Sequence, residues 1–310
     1  MVNIELDINM DTEESDTKII VNPYNFNNCL ITERDIINIF SEFDLDYKPM
    51  DISLYQKAFT HKSYTKKKLE DLEQGTEIVE KPEGALPLME YDNERLEFLG
   101  DSILSPIVAK YLYERFPEQD EGFMTRLRTR LVNGETLGLF SQEMGFGKFI
   151  IISRHIEDKC NGRNSIKLLE DCFEAFFGAM YLDFNNPTEG SEISKEYSNV
   201  YDNFYSGVAF QICEELFINI IEEKIDFADL ILKDYNYKDQ LLRYYQKTFH
   251  KPPKYKYINM EGEPNSRVFT MSVLDIDGNV LTIGNGNSKK KAEQDAAHNA
   301  LIHFKVLEEE

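Results

Sequence analysis

The sequence has no tryptophan, and its wealth of Asn, Ile, Lys and Tyr fits an AT-rich coding genome. It has few cysteines: Cys29, Cys160, Cys172 and Cys213 are scattered, with no C-x-x-C pair. That scatter argues against a disulfide framework and predicts reduced, structural thiols in an intracellular, most simply cytoplasmic, protein. No apolar run is long enough to span a membrane, and the acidic start lacks the basic and apolar regions of a signal peptide, so a soluble protein is expected. Positive charge is also scarce, with 34 Lys and Arg against 56 Asp and Glu and a formal net charge of −22 at pH 7. Summed over the whole chain, this balance opposes nucleic-acid binding. Charge acts over about a Debye length, however, roughly 8 Å at physiological salt, so it has to be judged segment by segment. The 310 residues suffice for two domains, each with its own core.

What is present is acid in a particular arrangement. Along Asn93-Glu94-Arg95-Leu96-Glu97-Phe98-Leu99-Gly100-Asp101-Ser102, helical geometry puts Glu94, Glu97 and Asp101 within an arc of roughly 60°, with Leu96, Leu99 and Ile103 opposite. Like charges about 5 Å apart cost on the order of 3 kcal/mol per pair at an effective dielectric near 20. Something cationic is therefore expected at that face. A second stretch, Leu168 to Leu182, is apolar on nearly every side, as a buried helix should be, yet carries Asp171 and Glu174 three residues apart. Buried carboxylates need partners. Lysine or arginine could serve each one singly, but two helices each offering an i, i+3 acidic pair favour a shared divalent metal. Oxygen-only ligation suits Mg²⁺ or Mn²⁺ rather than zinc. A carboxylate-bridged di-iron site would add E-x-x-H motifs, and none of Glu94, Glu97, Asp171 and Glu174 has a histidine three residues on.

The first stretch resembles the signature motif of the ribonuclease III family, and the second resembles its D-x-x-E-A segment. Leu54 to Tyr64, containing Ala58-Phe59-Thr60-His61-Lys62-Ser63-Tyr64, resembles the family's A-x-T-H-x-S-Y segment, and Asp120 to Arg128 resembles its E-G-x-L/M-x-x-x-R segment. Four motifs in family order are specific where any one alone would be weak. The resemblance implies that Glu97, Asp101, Asp171 and Glu174 hold Mg²⁺, with Mn²⁺ able to substitute, and that Glu94 and Glu121 are accessory catalytic acids. It also implies a homodimer in which Phe98 inserts into the other subunit. Phe98 fits that role physically, because it lies near the acidic face and off the apolar stripe. His61 is expected to be a structural hydrogen-bonding residue.

The remaining chain supplies the frame. Residues 1–30 are acidic and Asn-rich, which predicts a disordered tail. Residues 31–232 form the expected all-helical endonuclease domain, with loops inserted at 65–92 and 183–199 where Gly, Pro, Asn and Ser cluster. Val208 to Leu232 reads as an amphipathic helix closing that domain, and 233–237 as a linker.

From residue 238 to 304 the character changes, with 10 Lys and Arg against 7 Asp and Glu. A helix over Lys238 to Phe249 is followed by strands around Lys254 to Met260, Val268 to Leu274 and Asn279 to Ile283, with Asp277-Gly278 as a turn. Ser288 then caps a last helix whose apolar face holds Ala292, Ala296, Ala297, Ala300, Leu301 and Phe304, and residues 305–310 form a short tail. Lys289, Lys290 and Lys291 in its first turn oppose the helix dipole, an arrangement that a bound phosphate would reverse. Ser288 to Gln294 resembles the S-K-K-x-A-E-Q pattern of double-stranded RNA-binding domains. The resemblance implies that these lysines meet major-groove phosphates, with Gln246 and Asn265 at minor-groove positions. Arg243 and Asn265 depart from the usual glutamate and histidine.

The expected protein is thus α+β and multidomain: a Mg²⁺-dependent, homodimeric endoribonuclease that makes staggered cuts in double-stranded RNA, leaving 5′-phosphate and 3′-hydroxyl ends. The alternative is a non-catalytic binder that sequesters duplex RNA on the same scaffold.

Overall fold

A computed structural model describes residues 19–66, 76–185, 205–232, 236–262 and 267–307. The chain packs as two compact units, Met1–Asp226 and Phe227–Glu310.

In the first unit, α1 (Glu33–Glu42) starts at a capping box made by Thr32 and Asp35 and buries Ile36, Ile39 and Phe40. α2 (Ile52–Ala58) follows. Next come the 22-residue α3 (Glu94–Arg115), α4 (Glu121–Leu131), α5 (Gly134–Glu143), α6 (Arg154–Lys159), α7 (Ile166–Asn185) and α8 (Tyr205–Lys224). Asp120 and Asn133 cap α4 and α5 by accepting backbone N–H groups, which sets where each helix begins.

α7 is the centre of this unit. Phe173, Phe176 and Phe177 are fully buried, with the rings of Phe146 and Phe217 5.0 and 5.4 Å from Phe176 and Phe177. α8 packs on it through Ile212, Leu216, Phe217 and Ile220. α3 crosses α7 at a paired glycine contact. A Cβ on Gly100 would stand 1.7 Å from the carbonyl oxygen of Glu174, and one on Gly178 would stand 2.2 Å from that of Leu96. Backbone therefore touches backbone, and the acidic turns of the two helices are drawn together.

The expected bounds of the first domain need correction at both ends. Residues 19–30 are part of the fold: β1 (Ile19–Val21) pairs in parallel with β2 (Thr76–Ile78), and Tyr24, Asn25 and Asn28 are buried. Asn25 and Asn28 donate side-chain N–H groups to the Ile152 carbonyl, and Asn28 accepts from the Ile152 N–H. The Asn-rich composition that suggested a solvated tail instead supplies buried amides that satisfy a distant backbone. The strand pair is a short addition to a unit that is helical, as expected. Residues 1–18, most of the 183–199 loop and part of 65–92 lie outside the described residues.

The second unit holds α9 (Phe227–Leu232), α10 (Tyr237–Phe249), β3 (Lys254–Glu261), β4 (Val268–Leu274), β5 (Val280–Gly286) and α11 (Lys289–His303). The strands form an antiparallel sheet in the order β3-β4-β5. Leu241, Tyr245, Val273, Ala296, Ala297, Ala300 and Leu301 make its core. The β4–β5 turn is held by the Asp275 carboxylate, which accepts from the N–H groups of Asp277 and Asn279, with Gly278 at φ +91°. Phe227–Leu232, expected to close the first domain, falls in this second unit, because helix α8 ends at Lys224. β5 runs past Ile283 to Gly286, since Gly284 lets the strand lie against Ala296 of α11.

Candidate active site

α3 and α7 bring Glu97, Asp171 and Glu174 to one place, with one carboxylate oxygen from each within 4.8 Å of the others. Glu174 is buried. Burial, with Asp171 nearby, raises the Glu97 pKa to about 7, and burial with Glu170 and Asp101 nearby raises that of Glu174 to about 8. Asp171 is also shifted upward by burial, although Lys167 opposes the shift.

The cation expected at the acidic face is present as Lys167, one helical turn before Asp171. Its Nζ lies 2.7 Å from Asp171 Oδ1, 3.2 Å from Glu170 Oε2 and 4.0 Å from Glu97 Oε1. Burial works against its charge, but the adjacent Asp171 carboxylate holds the ammonium's pKa above the usual lysine range. Glu170 is a further acid at this site. Its carboxylate occupies the space beside Gly134 where a Cβ would come within 2.3 Å of Oε1. Sequence reasoning singled out neither residue. The signal that could have found them was the i, i+3 and i, i+4 spacing of Glu170 and Asp171 from Lys167.

The other expected acids are placed differently. Asp101 is exposed, yet close enough to raise the pKa of Glu174. Glu94 is ion-paired with Lys62 at 2.6 Å. Glu121 stands outside the carboxylate trio. It accepts a hydrogen bond from Thr125 Oγ1 at 2.9 Å and lines a cavity of about 230 Å³ with Ala109, Leu112, Tyr113, Met124, Thr125 and Arg128. Phe98, on the same helix as Glu97, is 77% exposed. His61 is structural: its Nδ1 lies 2.8 Å from Ser63 Oγ and accepts the Ser63 N–H, and burial with Lys62 nearby pushes its pKa down to about 4.

The donor set fits a hard divalent cation. Every available ligand atom is a carboxylate oxygen, and one lysine, with Nζ 2.7 Å from Asp171 Oδ1, stands against the three acids Glu97, Asp171 and Glu174.

In EDTA, Glu97 and Glu174 keep protons in the folded state at pH values where the unfolded chain, with carboxyl pKa values near 4.5, has released them. The folded state then binds more protons, so stability falls as pH rises. This contribution is complete below about pH 4.5 and is lost through pH 7 to 8. The melting temperature in EDTA is expected to fall between about pH 5 and 8, and more shallowly in Glu174→Gln. Equal slopes in the two proteins would contradict these shifts.

In the second unit, Lys289, Lys290 and Lys291 are exposed on the first turn of α11, whose Ser288 cap accepts the Lys291 N–H at 3.2 Å. Gln246 is exposed on α10, and Arg243 pairs with Asp239 at 2.8 Å. Asn265 lies outside the described residues. No helix among the described residues is long and apolar enough to cross a membrane.

Residues 51–197 match the family model described as ribonuclease-III-like, and residues 237–303 match the double-stranded RNA binding motif. Ribonuclease 3 of Enterococcus faecalis is 35% identical over 251 residues, covering 81% of this chain and 90% of the relative. Ribonuclease 3 of Streptococcus gordonii is 34% identical over 263 residues, covering 85% and 94%. A probable ribonuclease 3 of Acanthamoeba polyphaga mimivirus is 29% identical over 295 residues, covering 93% of this chain, which spans 49% of that longer relative. With both matches in the expected order and bacterial relatives aligned over nearly their full length, the chain belongs to the ribonuclease III family of endoribonucleases acting on double-stranded RNA.

Proposed function

We propose that Glu97, Asp101, Asp171 and Glu174 hold Mg²⁺, with Mn²⁺ able to substitute, and that the protein acts in the cytoplasm as a homodimer making staggered cuts in duplex RNA. The observation that carries the metal assignment is the convergence of Glu97, Asp171 and Glu174 from two helices, with one carboxylate oxygen of each within 4.8 Å of the others. When bound, the ion lowers the pKa of a water and offsets charge building on the scissile phosphate, so that hydrolysis leaves 5′-phosphate and 3′-hydroxyl ends. Lys167 balances the same carboxylates and keeps a positive charge at the site. Glu94, anchored by Lys62, and Glu121, beside the cavity, serve as accessory acids. Gln246, Asn265, Lys289, Lys290 and Lys291 hold the RNA, the lysines through phosphates. The sequestering alternative has less support, because a pure binder needs no convergence of Glu97, Asp171 and Glu174.

The dimer reading rests on Phe98, whose exposed ring lies on the helix that also supplies Ala109, Leu112 and Tyr113 to the cavity. A ring from one copy entering the cavity of the other would bury both. Phe98→Glu is expected to sediment as a monomer and to lose coordinated cutting of the two strands while keeping its fold. A dimeric Phe98→Glu variant that still makes staggered cuts would overturn this arrangement.

A further inference from the structure

Tyr255 and Tyr257, two residues apart on β3, share a face of the strand, and each lies beneath a lysine. Lys238 Nζ is 4.9 Å from the Tyr255 ring centroid, and Lys289 Nζ is 5.2 Å from that of Tyr257. The two pairs differ in what surrounds them. Lys238 is also ion-paired with Glu293, and Tyr255 packs against the core. Tyr257 stays 46% exposed, and among the described residues no carboxylate pairs with Lys289. The ring thus holds the ammonium without neutralising it.

The backbone around this pair is closely fixed. Tyr257 is opposite Met271, which is opposite Gly284. A Cβ on Gly284 would stand 2.0 Å from the Ala296 nitrogen, and one on Gly286 would stand 2.6 Å from the Ala292 nitrogen. The start of α11 is therefore seated on the sheet by direct backbone contact, and the Lys289 backbone has one position relative to Tyr257. What remains free is the lysine stem, whose rotamers must be ordered when it meets a phosphate.

We propose that Tyr257 is a positioning residue for duplex RNA: its ring holds Lys289 extended and uncompensated, so less order is lost when the ammonium meets a phosphate. This rests on the C-terminal unit being the duplex-binding element. An aromatic at 257 is therefore an affinity determinant, although it lies on a strand and outside the lysine cluster itself.

The test uses the full chain in EDTA and a labelled RNA duplex of at least roughly 16 base pairs, with binding followed by anisotropy at several salt concentrations. Tyr257→Leu is expected to weaken binding about three- to tenfold, while Tyr257→Phe, which keeps the ring, stays within about twofold of wild type. Lys289→Met should weaken binding at least as much and lower the salt slope by about one. In the Lys289→Met background, Tyr257→Leu should have no further effect. The proposal is overturned if Tyr257→Leu binds like wild type, if its loss persists in that background, or if it exceeds the Lys289→Met loss. Failure of the wild type itself to bind would instead remove the reading of the C-terminal unit.

Discussion

Glu174→Gln is expected to slow duplex cleavage on the order of 10³-fold, about 4 kcal/mol of transition-state stabilisation, with duplex affinity unchanged within about twofold. The substitution keeps the size and most of the hydrogen-bonding shape of the side chain and removes only its charge. Glu174 sits on the central helix of the first unit, 7% exposed, so the variant samples the site without disturbing a surface that RNA could grip. The same change removes one like charge from a cluster that includes Glu97, Glu170 and Asp101. The metal-free variant should therefore melt no lower than wild type at about pH 8, which separates loss of chemistry from loss of fold. Retention of more than about a tenth of the wild-type rate would show that Glu174 is dispensable to the metal site.

Gly178→Ala is expected to be damaging through packing alone. The added carbon would stand 2.2 Å from the Leu96 carbonyl oxygen and 3.0 Å from its carbon, and backbone cannot swing aside as a flexible side chain can. The cost should be about 3 kcal/mol or more, a fall in melting temperature of roughly 6–12 °C for a domain of this size. Any relief comes from parting α3 and α7, which moves Glu97 away from Asp171 and Glu174 and so weakens metal-supported activity in the variant that does fold. Gly207→Ala is the matched control, since among the described residues nothing lies within 4 Å of its added carbon. It should be neutral or slightly stabilising, by up to about 1 kcal/mol. Equal melting temperatures for Gly178→Ala and wild type would show that the two helices do not need this contact.

The legible part of the site was the part written in helical spacing. Glu97 and Asp101 on one helix, and Asp171 and Glu174 on another, are each about one turn apart, and an acidic pair on an otherwise apolar helix calls for a cation. Lys167 and Glu170 carry only their i, i+3 and i, i+4 spacing, and a lysine one turn before an aspartate looks like any solvated helix pair until α3 is known to cross there. That crossing depends on Gly100 and Gly178, which as residues state only the absence of a side chain. Glu121 shows the converse. Its motif placed it among the catalytic acids, whereas within one chain it faces a cavity beside Tyr113 and Arg128. Spacing fixes which face of a helix a residue shares, not which helices meet. Asn25 and Asn28 were misjudged for the same reason, since their partner Ile152 lies more than 120 residues away along the chain. In the second unit, strand alternation, the Asp277-Gly278 turn and the Ser288 cap are all local signals, and there sequence and structure agree closely.

The most direct test of the central claim is cleavage of an end-labelled RNA duplex by the wild-type full chain in Mg²⁺ and in EDTA, with the product ends mapped on both strands and binding followed in parallel. Staggered cuts ending in 5′-phosphate and 3′-hydroxyl groups in Mg²⁺, with bound but intact duplex in EDTA, are the predicted result. Duplex that is bound yet uncut in both Mg²⁺ and Mn²⁺ would contradict it and leave a protein that holds RNA without cutting it.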